Sequence, residues 1–200
     1  AQESKPLKVS NETFEVLKKV AQSPLADGSI LLSLTTHQDL GWVDEIEKCV
    51  FMRDTQWITP FMDRLITDAS FEMDIEQASI IQEYIIRHPE RKQEITRRLH
   101  EGRMLIGSTY TQPYEEMYFS ESLARQFYLG KLWLKKEFDG YNATSYYNAD
   151  VPGRAMQMPQ LLAKAGVDNM FISRHGRGVF DWTGPDGSKV TTYSPGHYID

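Results

Sequence analysis

Short apolar runs alternate with helical periodicities along the whole chain, and this alternation restricts the fold more than any single motif. "SILLSLTT" (29–36), "SFEMDIEQ" (70–77), "RMLIGST" (103–109), "TSYYNAD" (144–150) and "NMFISR" (169–174) read as strands. Between them, apolar spacing predicts helices over 44–52, 59–68, 78–88, 90–101, 120–138 and 157–166, with "RDTQWITP" separating the first two. Strands that alternate with helices at this spacing are joined by crossovers, so the fold class is α/β with a mainly parallel sheet. A doubly wound open sheet and a barrel both satisfy the pattern. The punctuation agrees: the helix over 78–88 stops before Pro89, while Gly102 and Gly140 stand just past helical stretches. Only "FDWTGPDGSKVTTYSP" (180–195) departs from the rhythm, reading as a hairpin about Pro185, Asp186 and Gly187. A short helix capped by Ser10, with Phe14, Leu17 and Val20 on one side, belongs to an N-terminal extension of residues 1–27.

Composition excludes several function classes. With 22 basic and 28 acidic residues the net charge is −6, so nothing favours nucleic acid or an anionic membrane surface. No apolar run approaches the roughly 18–20 residues of a membrane span. The single cysteine, Cys49, excludes an internal disulfide framework. The opening "AQESKP" lacks an initiator methionine, which is read as the mature end left by an export signal in preference to a truncation boundary. The expected location is therefore periplasmic or secreted, with the cytoplasm as the alternative.

Polar residues gather where predicted strands end, which is where α/β folds carry their sites. His37 and Asp39 follow the first strand, Asp150 the fourth, and Arg174-His175 the fifth. Residues two apart on an extended chain face the same way, so His37 and Asp39 can converge on one point. Imidazole nitrogen with carboxylate oxygen suits zinc or another divalent first-row metal. Spacing alone favours a plainer alternative, a structural histidine with a helix-capping aspartate. Asp150, before Val151-Pro152-Gly153, fits an Asx turn as well as it fits a carboxylate held at a strand end. Glu72, Asp74 and Glu76 alternate with Phe71, Met73 and Ile75, a pattern more often seen on a solvated face. In a barrel, one of the three would reach an inward pocket. "PYEEMYFSE" sets Glu115, Glu116 and Glu121 among aromatics, a mixture shared by carbohydrate sites and ordinary helix N-termini. His88 and His100 are expected on solvated helix faces. GxSxG, GxGxxG, CxxC and a P-loop lysine are all absent.

Taken together, these segments resemble glycoside hydrolase family 38, the α-mannosidases. "THQDLGW" is similar to the family's strand-end His-x-Asp-x-x-Trp, and "YYNADVPGRAMQMPQLLAKAGVDNMFISR" (146–174) resembles its second signature. The resemblance runs from about Gly28 onward, so residues 28–200 are read as the N-terminal part of the family's catalytic barrel. It implies a distorted, TIM-like (β/α)7 barrel and one zinc ion held by His37, Asp39 and Asp150. Asp150 doubles as catalytic nucleophile, Trp42 lines the sugar subsite, and Arg174 and His175 stand on the substrate side. Val151-Pro152-Gly153-Arg154 departs from the family's common aromatic, Gly, then His or Tyr, and matches a divergent bacterial branch. There Arg154 either binds an anionic substituent or pins the loop. The implied activity is zinc-dependent, retaining hydrolysis of terminal α-mannosyl residues of glycans through a covalent glycosyl-enzyme. A metal-dependent polysaccharide deacetylase and a non-catalytic carbohydrate-binding relative are the alternatives. Implied partners are a glycan or mannoside and the remainder of the same polypeptide, which is expected to bring the fourth zinc ligand (a histidine) and the acid/base aspartate. Linkage and oligomeric state stay open.

Overall fold

The structure is a computed structural model, and it describes residues 10–23, 26–27, 34–42 and 44–197. It divides into two units, Ala1–Leu32 and Ser33–Asp200. In the first, α1 (Asn11–Ala21) begins as expected: the Ser10 hydroxyl accepts a hydrogen bond from Thr13 N at 3.1 Å, satisfying one of the orphan amides of the first turn.

The second unit is mixed α/β. β1 (Thr35–Thr36), β2 (Met73–Ile75) and β3 (Met104–Ile106) pair in parallel and in chain order. Residues 29–33 of the first predicted strand lie outside the described residues. β4 (Ser145–Asn148), β5 (Asn169–Ile172) and β7 (Lys189–Ser194) also run parallel, while β6 (Gly178–Thr183) pairs antiparallel with β7, giving the order β4-β5-β7-β6. The predicted hairpin is therefore present, with Gly187 at φ 84°, a left-handed turn position that glycine adopts without a Cβ penalty. The sheets do not close into a ring among the described residues. They do meet, because Ser108 N donates to Ser145 O at 2.9 Å.

The crossovers are α2 (Ile46–Met52), α3 (Thr59–Thr67), α4 (Ala78–Arg87), α5 (Lys92–His100), α6 (Ser120–Glu137) and α7 (Met158–Ala165). One expectation fails here. Arg53–Ile58, read as a separator, forms π-helical turns that join α2 to α3 without a break. The wider turn destroys the 3.6-residue period on which the reading of a break rested. Pro60 follows it directly, as the second residue of α3.

Two apolar clusters form the core. Ile58, Met62 and Leu65 pack with Met73, Ile75, Ile81, Tyr84, Leu99 and Ile106 in one; Tyr146, Met158, Leu162, Met170 and Ile172 form the other. α6 serves both, giving Leu134 to the first and Leu123 and Phe127 to the second. It lies directly on the main chain after β3. A Cβ on Gly130 would stand 2.6 Å from Ser108 O, Thr109 C and Tyr110 N.

A polar cluster underlies α4. Asp54 accepts from Arg87 Nε at 2.9 Å and Thr59 Oγ1 at 2.8 Å, and faces His88 Nε2 at 2.8 Å. His88 is thus not solvated as expected; its ring also lies 4.7 Å from Tyr84. Burial works to raise the Asp54 carboxyl, but the hydrogen bonds from Arg87, Thr59 and His88 outweigh it and hold the group below its ordinary value.

Three substitutions test this packing and its polar cluster. Gly130→Ala gains about 1 kcal/mol of helix propensity but meets main-chain atoms that cannot yield, so a net loss of about 2 kcal/mol is expected in urea unfolding. Gly140→Ala, at φ 86° with open space around it, should lose only about 1 kcal/mol. The depressed Asp54 carboxyl contributes stability above its unfolded pKa of about 3.9 and loses it as pH falls through the lower folded value. Asp54→Asn should therefore flatten the acid limb of a stability–pH curve; an unchanged slope would remove Asp54 from the account.

Candidate active site

The site is assembled from the carboxyl ends of three strands. His37 follows β1, Glu76 follows β2 and Asp150 follows β4. His37 Nδ1 faces Glu76 Oε2 at 3.3 Å, and Nε2 faces Asp150 Oδ2 at 3.7 Å. A carboxylate at Nδ1 fixes which imidazole nitrogen is presented outward, and here that nitrogen is Nε2. The Glu76 hydrogen bond pushes His37 upward in pKa, against burial, which pulls it down. Burial in turn pushes Glu76 upward.

Glu76 is the residue that sequence reasoning missed. It is 1% exposed, not on a solvated face. Its strand neighbour Asp74 is half-buried and accepts from Tyr147 Oη at 2.8 Å; only Glu72 of the three is exposed. The alternation was legible, but which face is covered is decided by β4, whose Tyr147 packs over it. Around Glu76 runs a ring of amides. Gln38 N donates to Oε2 at 3.2 Å, and Gln112 Nε2 donates to the same oxygen. Gln112 also donates from its main chain to Gln77 Oε1 at 2.6 Å and accepts from Ala149 N at 3.2 Å. Gln77 Nε2 closes the ring on Gln38 O at 3.3 Å.

Asp150 is held on its other side. Oδ1 accepts from Arg174 Nε at 2.6 Å and from a terminal nitrogen of the same guanidinium. Arg174 sits at φ 56°, a left-handed conformation costing a non-glycine residue about 1–2 kcal/mol, and its N–H donates to Gly196 O at 2.8 Å. The turn after Asp150 is pinned from below. Arg154 NH1 donates to Val151 O (2.5 Å) and Gly153 O (2.7 Å), and NH2 to Asn148 O (3.0 Å) and Ser173 O (3.1 Å). Of the two roles implied for Arg154, this is the loop pin. Glu115, 2% exposed, accepts from Tyr146 Oη at 2.9 Å, Asn148 Nδ2 at 3.0 Å and Ala155 N at 2.8 Å. Burial raises its carboxyl, and the Ala155 amide is the first of several contacts that oppose this. It supports the Asp150 turn from beneath.

The remaining predicted residues stand apart from this cluster or at its edge. His175 stacks on Phe180 with ring centroids 5.2 Å apart. Trp42, 80% exposed, lines a groove of about 130 Å³ with Asp39, Gln38, Met52, Arg53 and Trp57. Among the described residues no group of three or more His, Cys, Asp and Glu side chains converges as a metal centre. The donor chemistry nevertheless fits zinc at two positions. Two ligands about 2.1 Å from a tetrahedral zinc stand about 3.4 Å apart, close to the His37–Asp150 separation of 3.7 Å. A carboxylate behind the histidine, as Glu76 provides, is the usual support for such a ligand.

Comparison with known proteins places this geometry in context. The family model "Glycosyl hydrolases family 38 N-terminal domain" matches residues 29–200. Alpha-mannosidase G of Dictyostelium discoideum is 28% identical over 172 residues, covering 80% of this chain and 15% of its own. An alpha-mannosidase of Saccharomyces cerevisiae is 27% identical over 169 residues, covering 71% and 15%. The chain thus spans about 15% of the length of these relatives. A crystal structure of an alpha-mannosidase from Enterococcus faecalis V583 superposes with a TM-score of 0.73 at 23% identity, over 81% of this chain and 19% of that one. A 4-alpha-glucanotransferase from Thermococcus litoralis reaches 0.62 at 16% identity, over 81% and 27%. At these identities the structural likeness speaks for the fold.

The support beneath the Asp150 turn is testable. Glu115→Gln keeps the shape but replaces one acceptor oxygen by a donor, leaving either the Ala155 amide or the Tyr146–Asn148 pair unmatched. A loss of about 1–3 kcal/mol is expected, read as a lower urea midpoint. An unchanged midpoint would mean that these donors find other acceptors.

Proposed function

The chain belongs to glycosyl hydrolase family 38, through its N-terminal domain, and from that premise we propose that it forms the first part of the catalytic barrel of a zinc-dependent, retaining α-mannosidase. The observation that carries the reading is the convergence of His37 and Arg174, from two other strand ends, onto the Asp150 carboxylate. Strand order supports the barrel: β1-β2-β3 and β4-β5-β7 follow the chain without the reversal of a doubly wound sheet, and Ser108–Ser145 links the two arcs.

In the proposed reaction an Asp150 oxygen attacks the anomeric carbon, the bond from that carbon to the aglycone oxygen breaks, and a glycosyl ester forms. Water then attacks the same carbon and the ester bond breaks, releasing mannose with its configuration retained and restoring the carboxylate. A second carboxylate gives the leaving oxygen its proton and takes one back from the water; the family resemblance places it, with a further zinc-binding histidine, after the matched stretch. Arg174 grips Oδ1 and so fixes the orientation of the Asp150 carboxylate. Such positioning removes orientational freedom from the attack. Arg154 and Glu115 hold the turn on which Asp150 rides. Zinc would be held by His37, Asp39 and Asp150; when bound it supplies charge that holds the sugar 2- and 3-hydroxyls. An axial 2-hydroxyl suits that grip, which is the physical reason for preferring mannosides.

The test is Asp150→Gly in the full-length protein with an aryl α-mannoside. We expect kcat to fall at least about a thousandfold, and azide to restore turnover with formation of a mannosyl azide. Release of acetate from an acetylated polysaccharide, with no azide adduct, would replace this reading by a deacetylase. Zinc and mannoside binding without turnover in the unmutated protein would reduce it to a binding relative.

A further inference from the structure

The loop over residues 37–42 carries His37, Asp39 and Trp42, yet it contains no regular secondary structure beyond the end of β1. Something else must hold its main chain. Arg53, 3% exposed, donates from NH1 to Asp39 O at 2.6 Å and to Leu40 O at 2.9 Å. The rest of its guanidinium is taken by one carboxylate: Nε meets Glu83 Oε1 at 3.2 Å and NH2 meets Glu83 Oε2 at 2.7 Å. This is a two-pronged fork against α4 on one side and a double grip on the loop carbonyls on the other.

We propose that Arg53, anchored by Glu83, is a positioning residue that sets where the loop presents Asp39 and Trp42. Three features argue for it. The guanidinium stands at the start of the π-helical turns Arg53–Ile58, in which the consecutive residues Arg53 and Asp54 are both buried. A regular helix turns successive residues about 100° apart, so the wider turns serve to bring both into one polar seam; such turns recur at functional sites. Next, the seam is charge-balanced and continuous. Glu83 also lies 3.8 Å from Arg87, which donates to Asp54 at 2.9 Å, so the Arg53 anchor is itself fixed. Finally, a buried ion pair adds little net stability over an apolar filling, whereas a planar fork defines direction in a way that a lysine ammonium cannot. The acceptors it holds belong to the residue proposed as a zinc ligand and to its neighbour.

The roles assigned to Asp39 and Trp42 rest on the function proposed above; the clamp itself does not. The experiment therefore reads both. Arg53→Met, Arg53→Lys and Glu83→Gln are made in the full-length protein labelled with 5-fluorotryptophan, and the Trp42 resonance is assigned with Trp42→Phe. Fluorine NMR is expected to show the Trp42 signal shifted or broadened in Arg53→Met, with Trp133 and Trp182 unmoved. Zinc affinity, measured by equilibrium dialysis, should fall about tenfold or more. Arg53→Lys should recover part of each effect, and Glu83→Gln, which keeps Arg53 but loosens its anchor, should give a smaller change of the same kind. Should Arg53→Met fail to fold, Glu83→Gln decides. An unmoved Trp42 signal together with unchanged zinc affinity in the folded variants overturns the proposal. An unmutated protein that binds no zinc and cleaves no mannoside defeats the functional reading alone, while the Trp42 signal still decides the clamp.

Discussion

The contact between Glu76 and His37 is the one on which the arrangement of strand ends depends. Burying a carboxylate is costly, and here three donors gather on one of its oxygens, Oε2, while Oε1 is buried without a hydrogen-bond partner among the described residues. Its donors come from the β1 loop (Gln38), from the segment after β3 (Gln112) and from the imidazole that faces Asp150. Serving that oxygen ties the β1 loop to the segment after β3, and main-chain bonds from Ala78 N to Thr109 O and from Ser79 N to Tyr110 O join the segments after β2 and β3 beside it. The strands pair over only two or three residues each, so contacts of this kind hold the loops beyond them.

Much of the fold was legible because it rests on local periodicity. The strand–helix alternation, the hairpin, the Ser10 cap and the glycines after α5 and α6 all follow from rules that act within a few residues. The failures share another cause. Glu76 and His88 were assigned to solvated faces because sequence alternation shows that a face is polar, not whether a neighbour covers it. Tyr147 covers the first region, and Asp54 claims the second residue. The π-helical turns were missed since their period matches no template.

For the site, the His-x-Asp spacing and the strand-end positions marked loops that the structure brings together at His37, Asp150 and Arg174. The motif could not supply the partners: Arg53, which holds the Asp39 carbonyl, is 14 residues away, Arg174 is 24 from Asp150, and Glu76 and Asp150 come to His37 from other strands. Glu115 shows the same limit from the other direction. "PYEEMY" reads as a carboxylate among aromatics, a sugar-site composition, yet its first glutamate is spent on Tyr146, Asn148 and the Ala155 amide. Composition names the chemistry available in a segment; only geometry says what has already consumed it.

Three arginines make the point sharper and bear on specificity. Arg53, Arg154 and Arg174 all stand near strand ends, and sequence alone gives each the same offer of charge and donors. Their acceptors separate them. Arg174 meets the Asp150 carboxylate, Arg53 divides its donors between the Glu83 carboxylate and two loop carbonyls, and Arg154 turns its terminal nitrogens on main-chain carbonyls. The departure from the common family pattern after Asp150 therefore does not place a free cation beside that carboxylate. Arg154 has both terminal nitrogens engaged by four carbonyls, and an anionic substituent would have to displace those bonds to be recognised there. What the Val-Pro-Gly-Arg turn changes is shape: Val151 is buried where the common pattern has an aromatic, and a Cβ on Gly153, at φ 82°, would press on the Glu116 side chain, which would have to swing aside. The turn therefore sets the space beside Asp150 and adds no free charge to it.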